Sequence, residues 1–226
     1  MRLSFLLLTA CDLEMSGTTA DDGIARGALS FRLPMEEPDL FSLRIGVDHD
    51  PEVFDGEQWN CTDYAGRTFP SCYDEHDGSD YILEGGFDTM DAGSTLIVAA
   101  ADGVVVATED GHYDRCHADL GSSDVSCDGY EMIANSVTIE HATGHRTRYW
   151  HMKTDSVMVE VDQEVSAGEP LGLVGSSGFS SMPHLHFEVN DAVEGVIDPY
   201  AGDFSQVETW WCEQNDLDDL PGLCAD

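Results

Sequence analysis

The sequence predicts an all-β domain, an antiparallel β-sheet of barrel or sandwich type with loop insertions and disulfide staples. Several short runs rich in Val, Ile, Leu and aromatic residues follow one another, separated by clusters of Gly, Asp and Ser, and no convincing amphipathic helix intervenes. Short strands with turn signals between them favour a barrel or a sandwich. The chain has 226 residues and is 42% hydrophobic, enough for one domain with appendages.

Residues 1–11 are expected to be a lipoprotein-like signal, followed by a tether. One arginine precedes a short apolar run that ends in Leu8-Thr9-Ala10-Cys11, and this box resembles the cleavage site of a bacterial lipoprotein signal. The resemblance implies that Cys11 becomes lipid-bearing and attaches the protein to a membrane of the cell envelope. The alternative is an ordinary secretory signal and an extracellular protein. Residues 12–45 are polar and irregular, as expected for a tether.

The folded domain is expected over residues 46–200, with a turn-rich first part at 46–75. Segment 112–130 is interpreted as an inserted loop, and residues 201–226 as an acidic, disulfide-stapled tail that wraps the domain. The runs expected to form strands are STLIVAAADGVVVATE (94–109), NSVTIEHA (135–142), RTRYWHM (146–152), SVMVEVDQEV (156–165), EPLGLVG (169–175) and PHLHFEV (183–189).

Six of the seven cysteines fall into three close pairs in polar sequence, and Cys11 stands apart. Such spacing indicates disulfides that close surface loops in an oxidising compartment. Six cysteines permit 15 connectivities, of which pairing between neighbours is predicted here. A zinc–thiolate site is disfavoured, because the chain has no Cys-x-x-Cys. The predicted pairs are Cys61–Cys72, Cys116–Cys127 and Cys212–Cys224.

The charge excludes some classes of partner. There are 45 Asp and Glu against 9 Lys and Arg, which gives a formal net charge of −36. Nucleic-acid binding requires clustered basic residues to neutralise phosphates, so a nucleic-acid partner is not expected. Electrostatic docking on anionic lipid is disfavoured for the same reason. The composition suits a salty medium, in which salt screens the self-repulsion, although a soluble secreted protein is the alternative.

Two histidines stand in the run Ser181–Val189, "SMPHLHFEV". Because a strand turns successive side chains to opposite faces, His184, His186 and Glu188 share one face and the intervening apolar residues the other. Upstream, a turn at Gly78 is expected to bring His76 and Asp80 together.

In "RTRYWHM", Tyr149 and His151 likewise share a strand face. Neutral imidazole and carboxylate are the ligands of a catalytic zinc, which takes three protein ligands and keeps one position open. Four histidines and one aspartate would supply these ligands and two spare imidazoles, a set suited to hydrolysis of an unreactive amide.

The stretch 76–189 resembles the lysostaphin-type, or β-lytic, zinc metalloendopeptidases. The residues that carry the resemblance are His76-Asp77-Gly78-Ser79-Asp80, Tyr149-Trp150-His151 and Pro183-His184-Leu185-His186-Phe187-Glu188. The resemblance implies a metallopeptidase domain with one Zn²⁺ per chain and a peptide bond of peptidoglycan, in the stem or the cross-bridge, as substrate. A monomer is favoured.

The resemblance also implies the roles of single residues. It makes His76, Asp80 and His186 the zinc ligands. His184 is then the general base, and His151 stabilises the tetrahedral intermediate or positions the water. The family has a tyrosine near the oxyanion, but neither Tyr64 nor Tyr73 is assigned to it. His141 is expected to be structural, and the histidines at 49, 112, 117 and 145 to be solvated loop residues.

Three alternatives remain open. A cupin also carries His-x-His on a strand, but Glu188 follows His186 too closely for the cupin pattern. A non-hydrolytic module of the same fold would bind cell wall or activate another hydrolase; such modules lack metal ligands, whereas all five positions are present here. Finally, residues 12–75, the 112–130 insert or the tail could cover the groove of an autoinhibited enzyme.

Overall fold

The computed structural model describes residues 29–50, 60–93, 95–119, 124–193, 195–222 and 224. The expected signal, Cys11 and residues 12–28 of the expected tether lie outside these ranges. Within the described part of the chain, no helix has the length and apolar character needed to cross a membrane.

The described residues form eleven strands, one short helix and one 3₁₀ turn. The strands are β1 (Phe41–Ile45), β2 (Ser79–Leu83), β3 (Leu96–Val98), β4 (Gly103–Glu109), β5 (His117–Ala118), β6 (Val125–Ser126), β7 (Asn135–Glu140), β8 (Arg146–Met152), β9 (Glu164–Val165), β10 (Pro170–Leu173) and β11 (His184–Asn190). The helix is α1 (Phe87–Ala92), and the 3₁₀ turn covers Pro38–Leu40.

Seven strands make one sheet in the order β1-β2-β11-β8-β7-β4-β9, with every neighbouring pair antiparallel. The strands β10 and β3 pair in a second, small sheet, and β5 and β6 form a separate hairpin. The predicted all-β antiparallel class is therefore confirmed. Alternation of buried and half-buried residues along β7 follows the two-residue period of a strand with one core face.

The central position of β11 decides where the histidines lie. All seven of its residues are buried, because β2 and β8 flank it and both of its faces are covered. Its apolar side chains, such as Phe187, join the core with Tyr149 of β8. In the register of the sheet, His186 is directly opposite Asp80 on β2 and Trp150 on β8.

The prediction that residues 12–45 form a tether is wrong for the described part, 29–45. Phe31, Leu33 and Met35 are fully buried, and β1 pairs with β2 at the edge of the main sheet. The reason is an apolar alternation at every second residue, which the surrounding charged and proline residues hide in the sequence.

Two further local predictions differ from the structure. The run 156–165 forms a strand only at Glu164–Val165. The segment before it makes isolated backbone hydrogen bonds to the carbonyls of Leu171 and Val105 instead of a ladder, and the chain turns at Asp162, whose φ is +72°. The strand β2 and the helix α1 were not predicted, because β2 directly follows the turn-rich histidine motif and α1 has only 6 residues.

All three predicted disulfides are present: Cys61–Cys72, Cys116–Cys127 and Cys212–Cys224. The second closes the base of the β5–β6 hairpin in the inserted segment. The third ties the tail next to Trp211, which is buried and pairs with Phe31 in a parallel bridge. The N-terminal and C-terminal segments of the described chain thus pack against each other.

Candidate metal centre and active site

Three of the predicted residues meet at one point, the triad of His76, Asp80 and His186. Asp80 Oδ1 lies 2.7 Å from His186 Nδ1 and 3.3 Å from His76 Nε2, and the two histidine nitrogens are 3.2 Å apart. All three side chains are buried. The strand register explains the geometry, since it places Asp80 and His186 side by side, and the turn before β2 returns His76 to them.

The triad fits a zinc ion in size and in chemistry. Two ligand atoms about 2.0–2.1 Å from zinc, at the tetrahedral angle, lie about 3.3 Å apart. Two edges of the triangle, at 3.2 and 3.3 Å, match this spacing, and the third is shorter because His186 donates a hydrogen bond to Asp80. Two imidazoles and one carboxylate also form a known three-ligand set for catalytic zinc.

Outer partners orient both imidazoles. His76 donates Nδ1–H to the carbonyl of Gly46 at 2.7 Å, which leaves Nε2 to face the triad. On the far side of His186, Nε2 lies 3.2 Å from Glu188 Oε1, and Arg148 donates to the other oxygen of Glu188 at 3.2 Å. A carboxylate or carbonyl behind a ligating histidine fixes its tautomer and raises its basicity. Glu188, which no motif in the sequence marks as functional, therefore belongs to this centre.

The charges of the triad are strongly coupled. Burial raises the pKa of Asp80, but the neighbouring imidazoles of His76, His184 and His186 outweigh it and hold the pKa well below the usual value. Burial lowers the pKa of His186, yet its hydrogen bonds to Asp77, Asp80 and Glu188 raise it well above 6.5 overall. A proton therefore occupies His186 Nδ1 at neutral pH, and any metal that binds there must displace it.

Glycine at position 78 is required by the packing of the turn. A Cβ at this position would lie 2.6 Å from Cε1 of His186 and 2.9 Å from the carbonyl oxygen of Phe187. Both distances are shorter than ordinary contacts, and the second involves backbone that cannot yield easily. Any larger residue would push His186 out of the triad.

His151 and His184 lie beside the triad, with their ring centroids 4.5 Å apart. Each donates Nδ1–H to a carbonyl of the loop 175–182, here called the serine loop: His151 to Ser177 at 2.6 Å and His184 to Met182 at 2.7 Å. The Nε2 atom of each ring is thereby left as an acceptor, and His184 Nε2 is 3.5 Å from Asp80 Oδ1.

Burial, more than any other factor, lowers the pKa of both imidazoles. The pKa of His151 falls well below 6.5, and neighbouring His184 and His186 lower it further. The pKa of His184 is also lowered, although the charge of Asp80 opposes the effect. His151 has a φ of +63°, a left-handed conformation that is rare for a residue other than glycine and collects at functional sites.

The cleft above these residues has a volume of about 380 Å³. Its walls come from the 60–75 loop, the β5–β6 hairpin and the serine loop, and no described residue of 201–222 lines it. Asp80, His151 and His184 lie in the cleft; its other lining residues are Ile45, Phe69, Tyr73, Ala118, Asp119, Asp124, Val125, Phe179 and Ser181. A larger hollow of about 710 Å³ lies near Asp102 and Glu164, at the β9 end of the main sheet, and contains none of the five predicted site residues.

Tyr73 is a cleft residue that sequence reasoning left unassigned. Its ring packs against His76 with centroids 4.3 Å apart. Burial raises the pKa of its hydroxyl far above 10, and the charges of Asp80 and Asp77 add to the effect, so the group stays protonated. In the sequence, Tyr73 is marked only by its place shortly before the first histidine motif. Tyr64 also precedes this motif, so the position did not show which of the two tyrosines lines the cleft. Tyr64 instead stacks on Tyr200 at 4.8 Å.

The remaining histidines differ in part from expectation. His141 is buried and structural as predicted, between the carbonyl of Asp102 and the hydroxyl of Thr147. The other four, predicted to be solvated loop residues, are all half-buried, and His117 lies in β5. For example, His49 is 2.9 Å from the buried carboxylate of Asp198, and His145 packs edge-on against Trp210. These contacts join segments far apart in the sequence, so local composition could not reveal them.

Comparison with known proteins identifies relatives of this fold. The model of peptidase family M23 matches residues 83–199, about half of the chain, and begins just after Asp80. Peptidoglycan DD-endopeptidase ShyA of Vibrio cholerae is 30% identical over 114 residues, which are 50% of this chain and 20% of ShyA. Murein hydrolase activator EnvC of Escherichia coli is 37% identical over 68 residues, 30% of this chain and 15% of EnvC.

The chain thus spans no more than about a fifth of the length of these two relatives. Among solved structures, a chain of the SpoIIIAH–SpoIIQ complex aligns with a TM-score of 0.50 at 18% identity, covering 75% of this chain and 97% of that chain. This likeness concerns the fold alone.

Proposed function

Because the chain belongs to peptidase family M23, we propose that it is a zinc-dependent endopeptidase that hydrolyses peptide bonds in the stem or cross-bridge peptides of bacterial peptidoglycan. One observation carries the proposal: the triad lies beside two further imidazoles, each with Nε2 left as an acceptor, and Asp80 of the triad lines one cleft together with both of them. The similarity to a protein named peptidoglycan DD-endopeptidase supports the substrate class.

In this proposal His76, Asp80 and His186 hold one Zn²⁺. Bound there, zinc would supply a Lewis acid for the scissile carbonyl and the attacking water. The three side chains would hold the ion beside His151 and His184, and the hydrogen bonds to Gly46 and Glu188 would keep the two ligating imidazoles in their orientation.

His184 is the proposed general base. Its Nδ1–H is bound to the carbonyl of Met182, so Nε2 is the atom that accepts a proton from the attacking water. The lowered pKa keeps the imidazole neutral and ready to accept at pH 7. Once protonated, the same Nε2 delivers the proton to the leaving amine.

His151 and Tyr73 have complementary proposed roles. Neutral His151 has no proton on Nε2, because its one N–H is donated to Ser177, so it orients the water by accepting a hydrogen bond. The hydroxyl of Tyr73 stays protonated and lines the same cleft, and it is the proposed donor to the oxygen that becomes negative in the transition state.

A non-hydrolytic role is the second candidate, favoured by the similarity to a protein named murein hydrolase activator. The geometry supports hydrolysis more strongly, since an activator needs neither the triad nor two neutral imidazoles in the cleft.

Three disulfides support a site of action at the cell envelope or outside the cell. Attachment through a lipidated Cys11 and a monomeric state complete the proposal.

The test is zinc content by mass spectrometry combined with clearing of a peptidoglycan suspension, with and without a chelator. We expect one zinc per chain and clearing that the chelator abolishes. His184→Ala should keep zinc and lose hydrolysis, whereas His186→Ala should lose both. The control is His145→Ala, which removes a half-buried histidine next to Trp210 and should change neither. Zinc without clearing in the wild type would favour the activator, and a zinc-free but active His184→Ala variant would overturn the assigned roles.

A further inference from the structure

Two buried serines connect His184 to the inserted segment. Ser176 donates its hydroxyl proton to the carbonyl of Cys116 at 2.6 Å, so its oxygen is left to accept a hydrogen bond. Ser180 donates its hydroxyl proton at 2.8 Å to the carbonyl of Met182, the same oxygen that accepts Nδ1–H of His184. Its Oγ lies 2.8 Å from Ser176 Oγ and 3.2 Å from Nδ1 of His184. Both serines are at most 1% exposed. The two hydroxyls thus lie in contact, between the carbonyl that accepts the His184 proton and a backbone carbonyl next to a disulfide.

Backbone hydrogen bonds attach the same insert to the serine loop. Cys116 N–H donates to the carbonyl of Ser176 at 2.9 Å, and Ser176 N–H donates to that of Asp114 at 3.1 Å. Ala118 of β5 donates to the carbonyl of Ser181 at 2.9 Å. The disulfide Cys116–Cys127 is itself buried against this loop, with Cys127 Sγ 3.4 Å from the carbonyl oxygen of Gly178.

The serine loop also holds His151. The carbonyl of Ser177 accepts its Nδ1–H, and the hydroxyl of Ser177 accepts from the backbone of Asn135 while donating to Met152. The side chain of Asn135 in turn pairs with the backbone of His112, where the insert begins. Both imidazoles are therefore oriented by a loop that the insert braces from outside.

The metal ligands are held by other parts of the fold. His76 is fixed by the carbonyl of Gly46, and Asp80 by its place on β2. His186 is fixed by Glu188 together with Arg148. The two halves of the centre, ligands and bases, thus have separate supports.

We propose that the disulfide-pinned insert, in its described parts 112–119 and 124–130, is a positioning device for His151 and His184. Through Cys116, Ser176 and Ser180 it supports the carbonyl that accepts Nδ1–H of His184. Through His112 and Asn135 it supports Ser177, whose carbonyl accepts Nδ1–H of His151, so that Nε2 of both rings stays toward the cleft. Loss of the support by the insert leaves the metal site intact, but His151 and His184 are no longer held in their orientation. This inference rests on the proposed hydrolytic function for its catalytic consequence, but its structural consequence does not depend on that function.

The test compares two disulfide variants of the full chain. Cys116→Ser/Cys127→Ser removes the brace, and Cys212→Ser/Cys224→Ser is the matched control, since it removes a disulfide of nearly equal span, with 12 instead of 11 residues of separation, in the tail. On solubilised peptidoglycan fragments the first should lower kcat by about 10- to 100-fold, with KM changed by less than about 3-fold. Zinc per chain should stay at the wild-type value in both.

Single hydroxyl deletions keep the inference testable if the disulfide variant does not fold. Ser176→Ala and Ser180→Ala should lower kcat in the same direction with zinc retained, and Ser180→Thr, which keeps the hydroxyl, should restore most of it. Wild-type kcat in Ser176→Ala and in the insert variant would overturn the inference. So would loss of zinc in step with kcat, because the insert would then support the whole centre.

A second measurement separates this inference from the proposed function. In ¹⁵N-histidine spectra of the zinc-treated protein, the Nδ1–H signals of His151 and His184 should resist exchange with water in the wild type and the tail control. They should exchange at least about tenfold faster in Cys116→Ser/Cys127→Ser. If the wild type did not hydrolyse peptidoglycan, the proposed function would be refuted, and the exchange rates of the Nδ1–H signals would still test the positioning role. Equal exchange in both disulfide variants would refute that role whether or not the protein hydrolyses peptidoglycan.

Discussion

His151 and His184 each carry a single ring proton, on Nδ1, and the fixed place of this proton distinguishes them from ordinary surface histidines. Hydrogen bonds to Ser177 and Met182 direct this proton away from the cleft, and burial lowers the pKa of both rings. Each is therefore neutral, with a defined tautomer, at the pH at which an unperturbed histidine is still partly charged. A base needs this state, because an imidazolium cannot accept a proton.

The pH dependence of the proposed hydrolysis follows from the direction of these pKa shifts. As the pH falls through the lowered pKa of His184, Nε2 becomes protonated and the proposed base is lost. We expect kcat/KM at saturating zinc to stay level down to a pH below 6.5, the ordinary value for histidine, and then to decline with further acid. Zinc content must be measured at each pH, since protons also compete for His186. An acid limb centred above 6.5 with full zinc occupancy would contradict His184 as the base.

Strand register brings the pieces of the centre together. The β11–β2 pair places His186 against Asp80, and the β11–β8 pair places Glu188 against Arg148. A shift of one residue in either pair would turn every side chain of β11 to the other face. The buried Phe187 would then turn from the core to the face where the histidines now lie. The burial that Phe187 would lose disfavours such a shift.

The pair of Glu188 and Arg148 should set the affinity for zinc. Glu188→Gln keeps the size of the side chain but removes the charge behind His186 Nε2, and outer partners of this kind typically contribute 10- to 100-fold to metal affinity. We expect zinc affinity to fall by about that factor in competition with a chromophoric chelator. Glu140→Gln is the matched control, because Glu140 faces Arg146 across β7 and β8 in the same way, far from the triad. Equal zinc affinity in the two variants would remove Glu188 from the centre.

The described termini of the molecule are joined in one core. Phe31 donates its N–H to Trp210 and accepts from Cys212, and its ring lies within about 6 Å of those of Phe187, Trp210 and Trp211. This contact connects residues 29–35 with the tail and with the back of β11. The segment before β1 is thus part of the domain that supports the site.

Removal of that ring should destabilise the whole domain. Phe31→Ala deletes a fully buried aromatic side chain, and such changes lower the free energy of unfolding by about 3–5 kcal/mol. Urea denaturation followed by tryptophan fluorescence measures the effect. Val207→Ala, at a side chain that is 95% exposed, should change stability by less than about 0.5 kcal/mol. A loss below about 1 kcal/mol for Phe31→Ala would mean that residues 29–35 are only loosely docked, as in a tether.

The net charge of −36 makes the stability of the molecule depend on salt. The screening length falls from about 30 Å at 0.01 M to about 3 Å at 1 M, so salt weakens repulsion between the many surface carboxylates. We expect the thermal midpoint to rise steadily with NaCl over this range. A sucrose series of equal osmolality separates screening from solvent exclusion. A midpoint that sucrose raises as much as NaCl would show that charge repulsion is not a main factor.

The meeting of His76, Asp80 and His186 was expected from the resemblance of their motifs to a known family. The sequence by itself determined the β class, the three disulfides and the contact of His76 with Asp80, because these depend on local spacing: alternation along strands, cysteines 11 or 12 residues apart and a glycine turn. The turn at Gly78 is the best example, since a glycine between His76 and Asp80 predicted their contact, and the structure places them 3.3 Å apart.

Only the tertiary structure decided which distant groups support that centre. The pair of Glu188 and Arg148 and the contact of Ser176 in the serine loop with Cys116 join segments that the sequence separates. Residues 29–45 became part of the domain for the same reason. Their short apolar alternation gains stability only when the tail and β2 cover it, and the local sequence does not show which distant segments will do so.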